Sequence, residues 1–171
     1  MNPNTLHGIV FQVNVKSETP GERGLPKHPV QRVLVVRTGL DGDFNRWRHE
    51  NAHDDLAMAV LLMPLETIEE LKDEGWPIGA GDVGENFTTQ GIPYNSFAPG
   101  KHYRIGEAVI TITKPCDPCN FLYDIPNVGK DKDIVKAMHN RRGWYARVES
   151  EGWVAKGDSI TEVTSQEENL V

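Results

Sequence analysis

Cysteine is scarce in this sequence, positive charge is in deficit, and no apolar run is long. Two cysteines in 171 residues are too few for a disulfide scaffold, so a reducing, cytoplasmic setting is the expectation. Eighteen Lys and Arg stand against 25 Asp and Glu, a formal net charge of −7. That balance argues against a nucleic-acid backbone or an anionic membrane surface as the main partner. No segment approaches the ~18 consecutive apolar residues of a membrane helix. Met1-Asn2-Pro3-Asn4-Thr5 lacks the cationic and apolar regions of a signal peptide. Internal repeats, low-complexity stretches and a strict βαβ rhythm are also missing, which excludes solenoids and parallel doubly wound sheets.

Sixteen glycines and eleven prolines favour a turn-rich architecture of many short elements. Ile9, Phe11, Val13 and Val15 alternate, which predicts a half-buried strand over residues 7–16. A Pro- and Gly-rich loop follows over 17–29, then a β-branched strand over 30–36 and a turn at Gly39-Leu40-Asp41-Gly42-Asp43. Residues 57–63 form an apolar run fit for a buried strand. Leu65, Ile68 and Leu71 share one helical stripe after Pro64 and before Gly75, the clearest helix signal in the chain. A strand pair or one bent strand is predicted over 103–113, a second helix over 131–142, and a hairpin from residues 144–148 and 153–155. A strand-dominated, barrel-like single domain over residues 1–163 fits this pattern, with an acidic, frayed tail over 164–171.

Three constellations could carry chemistry. Cys116-Asp117-Pro118-Cys119 is compatible with half a zinc site, a redox dithiol or two inert thiols. A structural zinc site needs a second ligand pair, and no further Cys exists, so zinc is not expected. A thioredoxin-like dithiol opens a helix after an early strand, whereas this pair lies two-thirds along the chain before a segment that does not read as helical. Its place in a rigid, polar loop at the end of an apolar strand is one where functional side chains are often mounted. His49-Glu50-Asn51-Ala52-His53 matches the His-Glu-x-x-His of zinc proteases literally. The flanking residues 41–48 are turn-like, however, and a solvated loop explains the match as well. Gly84-Glu85-Asn86-Phe87-Thr88-Thr89 is a Gly-hinged segment whose amide and hydroxyl groups suit an oxyanion, or an ordinary turn.

Taken in order, these pieces resemble the MOSC domain, the module at the C-terminus of molybdenum-cofactor sulfurases that also occurs as stand-alone bacterial proteins. The resemblance is carried by Gly24-Leu25-Pro26-Lys27, Gly39-Leu40-Asp41-Gly42-Asp43, Ala59-Val60-Leu61-Leu62, Gly84-Glu85-Asn86-Phe87-Thr88, Tyr103-Arg104-Ile105-Gly106, Lys114-Pro115-Cys116-Asp117-Pro118-Cys119, Arg142-Gly143-Trp144-Tyr145 and Gly157-Asp158. It implies a mainly β, closed or semi-closed barrel of the pyruvate-kinase-barrel-like type with a few peripheral α-helices. It also implies a functional cysteine at Cys119, which carries sulfur as a persulfide or coordinates the molybdenum of a molybdopterin cofactor, with Cys116 as a second catalytic thiol. Pyridoxal phosphate binding enters at the level of the family only. The resemblance further implies that Lys27 neutralises the cofactor's phosphate or lowers a thiol's pKa. Gly84, Glu85, Asn86, Thr88 and Arg142 are the remaining candidates for holding the cofactor. The implied activity is partner-dependent reduction of N-hydroxylated compounds or sulfur transfer, with an external electron donor or a cysteine desulfurase as partner. The rival readings are a non-catalytic small-molecule barrel and a thiol–disulfide oxidoreductase. Two departures stand out. The family's His-Gly-Gly falls on His49-Glu50-Asn51 or on His53-Asp54-Asp55, with the spacing to Ala59 favouring His53 and Asp54. Cys116 occupies a position where relatives often carry Arg, which implies weaker anion binding or a resolving thiol.

Overall fold

The computed structural model describes residues 6–163; the tail expected at 164–171 lies outside the described residues. The strands are β1 (His7–Val15), β2 (His28–Val30), β3 (Arg32–Val36), β4 (Gly39–Leu40), β5 (Val60–Pro64), β6 (Phe87–Gln90), β7 (His102–Ile105), β8 (Ala108–Pro115), β9 (Trp144–Ser150), β10 (Gly152–Ala155) and β11 (Ser159–Val163). Seven of them close a barrel in the order β11-β7-β8-β9-β5-β6-β1, with β1 pairing back onto β11. Strand β2 adds to the outside edge of β1, and β10-β3-β4 form a separate three-stranded sheet. Only β5 and β6 run parallel among the described pairings. Their connection holds helix α2 (Leu65–Asp73) and the glycine-punctuated segment before β6. Helix α1 (Arg46–Asn51), the short α3 (Ile134–Ala137) and 3-10 turns at Leu56–Met58, Tyr94–Ser96 and Asn120–Asp124 complete the described elements of the mainly β barrel.

The barrel interior is filled by side chains such as Val10, Val60, Leu62, Phe87, Ile110 and Val148. All five residues of β5 are buried because the strand is covered on both sides. Val60 and Leu62 face the interior, Met63 faces a second cluster under α2 with Ile68 and Leu71, and Leu61 packs with Met58, Cys116 and Tyr145. The predicted α2 stripe is thus realised against the barrel's outer wall.

Three expectations are corrected. In β1 the register against β6 shifts between Val10 and Gln12, a bulge that puts an extra residue into the alternation. Val10 and Val13 are therefore fully buried, whereas Ile9 is 43% exposed. The helix expected over 131–142 contracts to Ile134–Ala137, because Asn140 takes a left-handed φ of 61° and Gly143 one of 111°. Strands β9 and β10 do not pair as a hairpin. Gly152 turns the chain out of the barrel, where a Cβ would meet the Glu107 backbone at 2.8 Å, and β10 pairs with β3 instead. The strand pair expected over 103–113 is realised as an antiparallel β7–β8 hairpin.

Gly143 joins the barrel to the loops at one of its ends. A Cβ there would lie 2.5 Å from the Leu62 carbonyl oxygen, at a φ that side chains rarely adopt. Its own carbonyl accepts the Cys116 N–H at 2.8 Å, and its N–H donates to the Tyr94 hydroxyl at 3.1 Å. Gly143→Ala is expected to destabilise the fold by more than about 2 kcal/mol, measured by urea unfolding. A loss below about 0.5 kcal/mol would show that the close approach is not needed.

Candidate functional site

The paired ends of β8 and β9, Pro115 opposite Trp144, open at one end of the barrel. Beyond Pro115 the chain runs through Cys116, Asp117, Pro118 and Cys119 into a 3-10 turn, Asn120–Asp124. Facing this loop is α1, whose N-cap Asn45 accepts the Arg48 N–H through its side chain at 2.9 Å. Between the two lies a cavity of about 250 Å³. Its walls come from the Cys116–Cys119 loop, from Asn45, Arg46 and Trp47, from Gly24 and Leu25, and from Met58, Leu61, Arg142 and Tyr145.

Both cysteines are free; Cys116 is buried and Cys119 half-buried. Burial pushes the Cys116 thiol pKa up, opposed by the Arg142 charge and by a hydrogen bond with Tyr145. Burial likewise raises the Tyr145 phenol. Cys116 is therefore held as a neutral thiol within the wall, and Cys119, the more exposed of the two, is the thiol a ligand meets first. Four cations, Lys27, Arg46, Lys114 and Arg142, line the cavity against one carboxylate, Asp117, in a chain whose net charge is −7.

The remaining sequence candidates divide by position. Cys116, Cys119, Lys27, Gly84 and Arg142 are brought to this one cavity. Lys27 is buried and pairs with Asp43 at 2.5 Å; burial lowers its ammonium pKa and Asp43 opposes that. The same Asp43 oxygen accepts the Asn86 amide N–H at 2.9 Å, while the Asn86 amide oxygen accepts the Leu61 N–H at 3.0 Å. Asn86 thus stands behind the cavity wall with both ends of its amide engaged. Thr88 donates to Glu85 Oε1 at 2.7 Å, Gly81 N–H donates to the same oxygen at 2.6 Å, and Asn14 donates to Thr88 at 3.2 Å. These buried groups hold the β5–β6 connection together. His53 and Asp54 do not line the cavity. Both are exposed, on left-handed backbone with φ of 48° and 57°. Asp54 meets the His49 Nδ1 at 2.9 Å. Helix α1 ends at Asn51, so His49 and His53 do not share a helical face as the protease motif requires. Among the described residues no cluster of three or more His, Cys, Asp or Glu is placed to hold a metal ion.

The sequence matches the family model of the MOSC domain over residues 49–161. The chain belongs to the MOSC domain family. This MOSC chain is 27% identical over 154 residues to the uncharacterized protein YflK of Bacillus subtilis, covering 87% of its own length and 67% of that protein. It is 27% identical over 143 residues to protein YiiM of Escherichia coli, covering 78% of its own length and 60% of YiiM. The crystal structure of YiiM from Geobacillus stearothermophilus superposes with a TM-score of 0.71 at 26% identity, over 92% of this chain and 75% of that one. The YuaD protein of Bacillus subtilis gives a TM-score of 0.74 at 16% identity, over 94% of this chain and 99% of that one, a likeness of fold alone.

Sequence reasoning missed Tyr145, Arg46 and Trp47 in the wall of this MOSC domain. Tyr145 reads as one more residue of a strand, and only its partner Cys116 gives it a chemical role. The thiol at 116 also has a guanidinium for company after all, since Arg142 lines the same cavity from the next strand's approach.

Glu85 is completely buried, and burial raises its carboxyl pKa against hydrogen bonds from Gly81 and Thr88. The folded state therefore binds this proton more tightly than the unfolded chain. Its contribution to stability is full below the unfolded pKa and is lost as pH rises through the folded one. Glu85→Gln keeps the Oε1 acceptor and removes the titration. The variant is expected to gain stability relative to wild type as pH rises from mildly acidic to alkaline, followed by urea unfolding across a pH series. Parallel curves for the two proteins would contradict it. Asp43→Ala strands the buried Lys27 charge and is expected to cost about 3–5 kcal/mol in the same measurement at neutral pH.

Proposed function

We propose that the cavity binds the molybdenum cofactor, with Cys119 as the thiolate that reaches the metal, and that the protein reduces small N-hydroxylated molecules with electrons from a partner. The observation that carries this reading is a half-buried free thiol in a cavity lined by four cations and one carboxylate. A soft thiolate suits molybdenum, and the cationic lining suits an anionic pterin phosphate. When bound, that group supplies two-electron redox chemistry at the metal.

The chain's own residues hold and shield. Pro115 and Pro118 restrict the loop, so Cys119 is presented with little backbone freedom. The Cys116 N–H bond to Gly143 anchors that loop to the start of β9. Arg46 and Lys114 offset anionic charge, and Trp47 and Phe121 contribute apolar wall that excludes water. The buried Cys116 is held back as a neutral thiol, which leaves Cys119 as the ligand. A cytoplasmic setting keeps both sulfurs reduced.

The test is metal and sulfur analysis of protein made in cells that synthesise the cofactor and purified without reductant. Wild type and Cys116→Ser are expected to carry molybdenum, and Cys119→Ser at least tenfold less (about 1.4 kcal/mol or more of lost binding). Sulfane sulfur on Cys119 without molybdenum would move the reading to sulfur carriage supplied by a cysteine desulfurase. Neither element on wild type, or both retained in Cys119→Ser, overturns it.

A further inference from the structure

The cations around the cavity differ in one respect. Lys27 is paired with Asp43, Arg46 with Glu50 at 3.4 Å, and Lys114 with Asp55 at 3.6 Å. Arg142 has no ion pair among the described residues. It is only 5% exposed, and its Nε and Nη1 are sealed from solvent with no hydrogen-bond partner. A guanidinium stays charged at any relevant pH, so it cannot relieve its burial by losing a proton. Leaving such a group unsatisfied costs more than leaving a neutral one, and a native fold retains it where something else completes it.

Glu85 is the acid standing behind the wall, yet its Oε2 is also without a hydrogen-bond partner. The two groups therefore do not form a hydrogen-bonded pair, and burial favours the neutral form of Glu85. Cys116 and Tyr145, two polar neighbours that stand beside it with Cys119, are both pushed toward their neutral forms by burial. The charge is left without a hydrogen-bonded or ion-paired partner in a residue that lines the cavity.

We propose that Arg142 is the docking group for the carboxylate of a small substrate whose body is apolar. With Nε and Nη1 sealed, Nη2 is the nitrogen left to meet a ligand, and a charge-assisted N–H···O bond from it suits a carboxylate oxygen. Met58, Leu61, Trp47 and the ring of Tyr145 line the same cavity and pack as one apolar cluster, which suits an aromatic or aliphatic body better than a hydrated phosphate. This deepens the reading above by naming a substrate class, while its test needs no cofactor.

Benzoate, benzamide and inorganic phosphate are titrated separately into the purified full chain, with amide chemical shifts near Cys116 and Arg142 as the readout. Benzoate is expected to bind, with benzamide of the same shape and no charge at least about tenfold weaker. Arg142→Met and Arg142→Gln are each expected to lose at least about tenfold in benzoate affinity, and Cys119→Ser to keep it. That last arm separates this inference from the metal reading, which Cys119→Ser tests by metal content. The wild-type comparison of benzoate with benzamide stands even where an Arg142 variant fails to fold. No benzoate binding at millimolar concentration, equal binding of benzamide, unchanged benzoate affinity in a folded Arg142 variant, or phosphate binding as tightly as benzoate would each overturn it. The phosphate result would assign Arg142 to the phosphate of a cofactor.

Discussion

The buried ion pair between Lys27 and Asp43 fixes the cavity. An ammonium taken out of water is tolerated only with an opposite charge at hydrogen-bond distance, and Asp43 supplies it at 2.5 Å. Asp43 in turn binds the Lys16 N–H and the Asn86 amide, and Asn86 binds the Leu61 N–H. Four separate stretches, the loop before β2, the turn after β4, the segment before β6 and, through Asn86, strand β5, are thereby tied to one carboxylate. Gly24 and Leu25 on the first stretch and Leu61 on the last form part of the cavity wall. The wall's shape follows from one charge seeking its partner.

On the opposite side, the same cavity is held by backbone. The Cys116 N–H to Gly143 carbonyl bond sets the cysteine loop against the start of β9. Arg142 immediately precedes that glycine, so its guanidinium and the two thiols belong to one rigid corner. Charge on one side is internally neutralised, and charge on the other is left open. That asymmetry gives the pocket a polarity.

The elements with strong local signals were legible in the sequence. Strand β5 is apolar throughout because both its faces are covered, and α2 carries a helical stripe with a proline at its start. The Pro-Cys-x-Pro-Cys loop announced itself by composition, and the set of ordered motifs identified the family and with it the barrel. What stayed hidden depends on contacts distant in sequence. The β1 bulge is invisible in an alternating run, because only pairing with β6 decides where the extra residue sits. The departure of β10 to a second sheet depends on Glu107 approaching Gly152 from the β7–β8 turn. Asn86 and Thr88 read as ligand-binding groups by their chemistry, yet their hydrogen bonds are taken up by Asp43, Leu61 and Glu85. His53 matched a spacing, but left-handed backbone at His53 and Asp54 sends that loop elsewhere.

Closure of the barrel through β1 and β11 joins the first described strand to the last. A ribosome delivers β1 some 150 residues before its partner (His7 pairs with Thr161), so six strands assemble while the seventh is still being made. During that interval both β1 and β7 present unpaired N–H and C=O groups, the kind of edge that recruits strands from other chains. Synthesis that stalls before Ser159 therefore leaves a chain whose ring has an open seam.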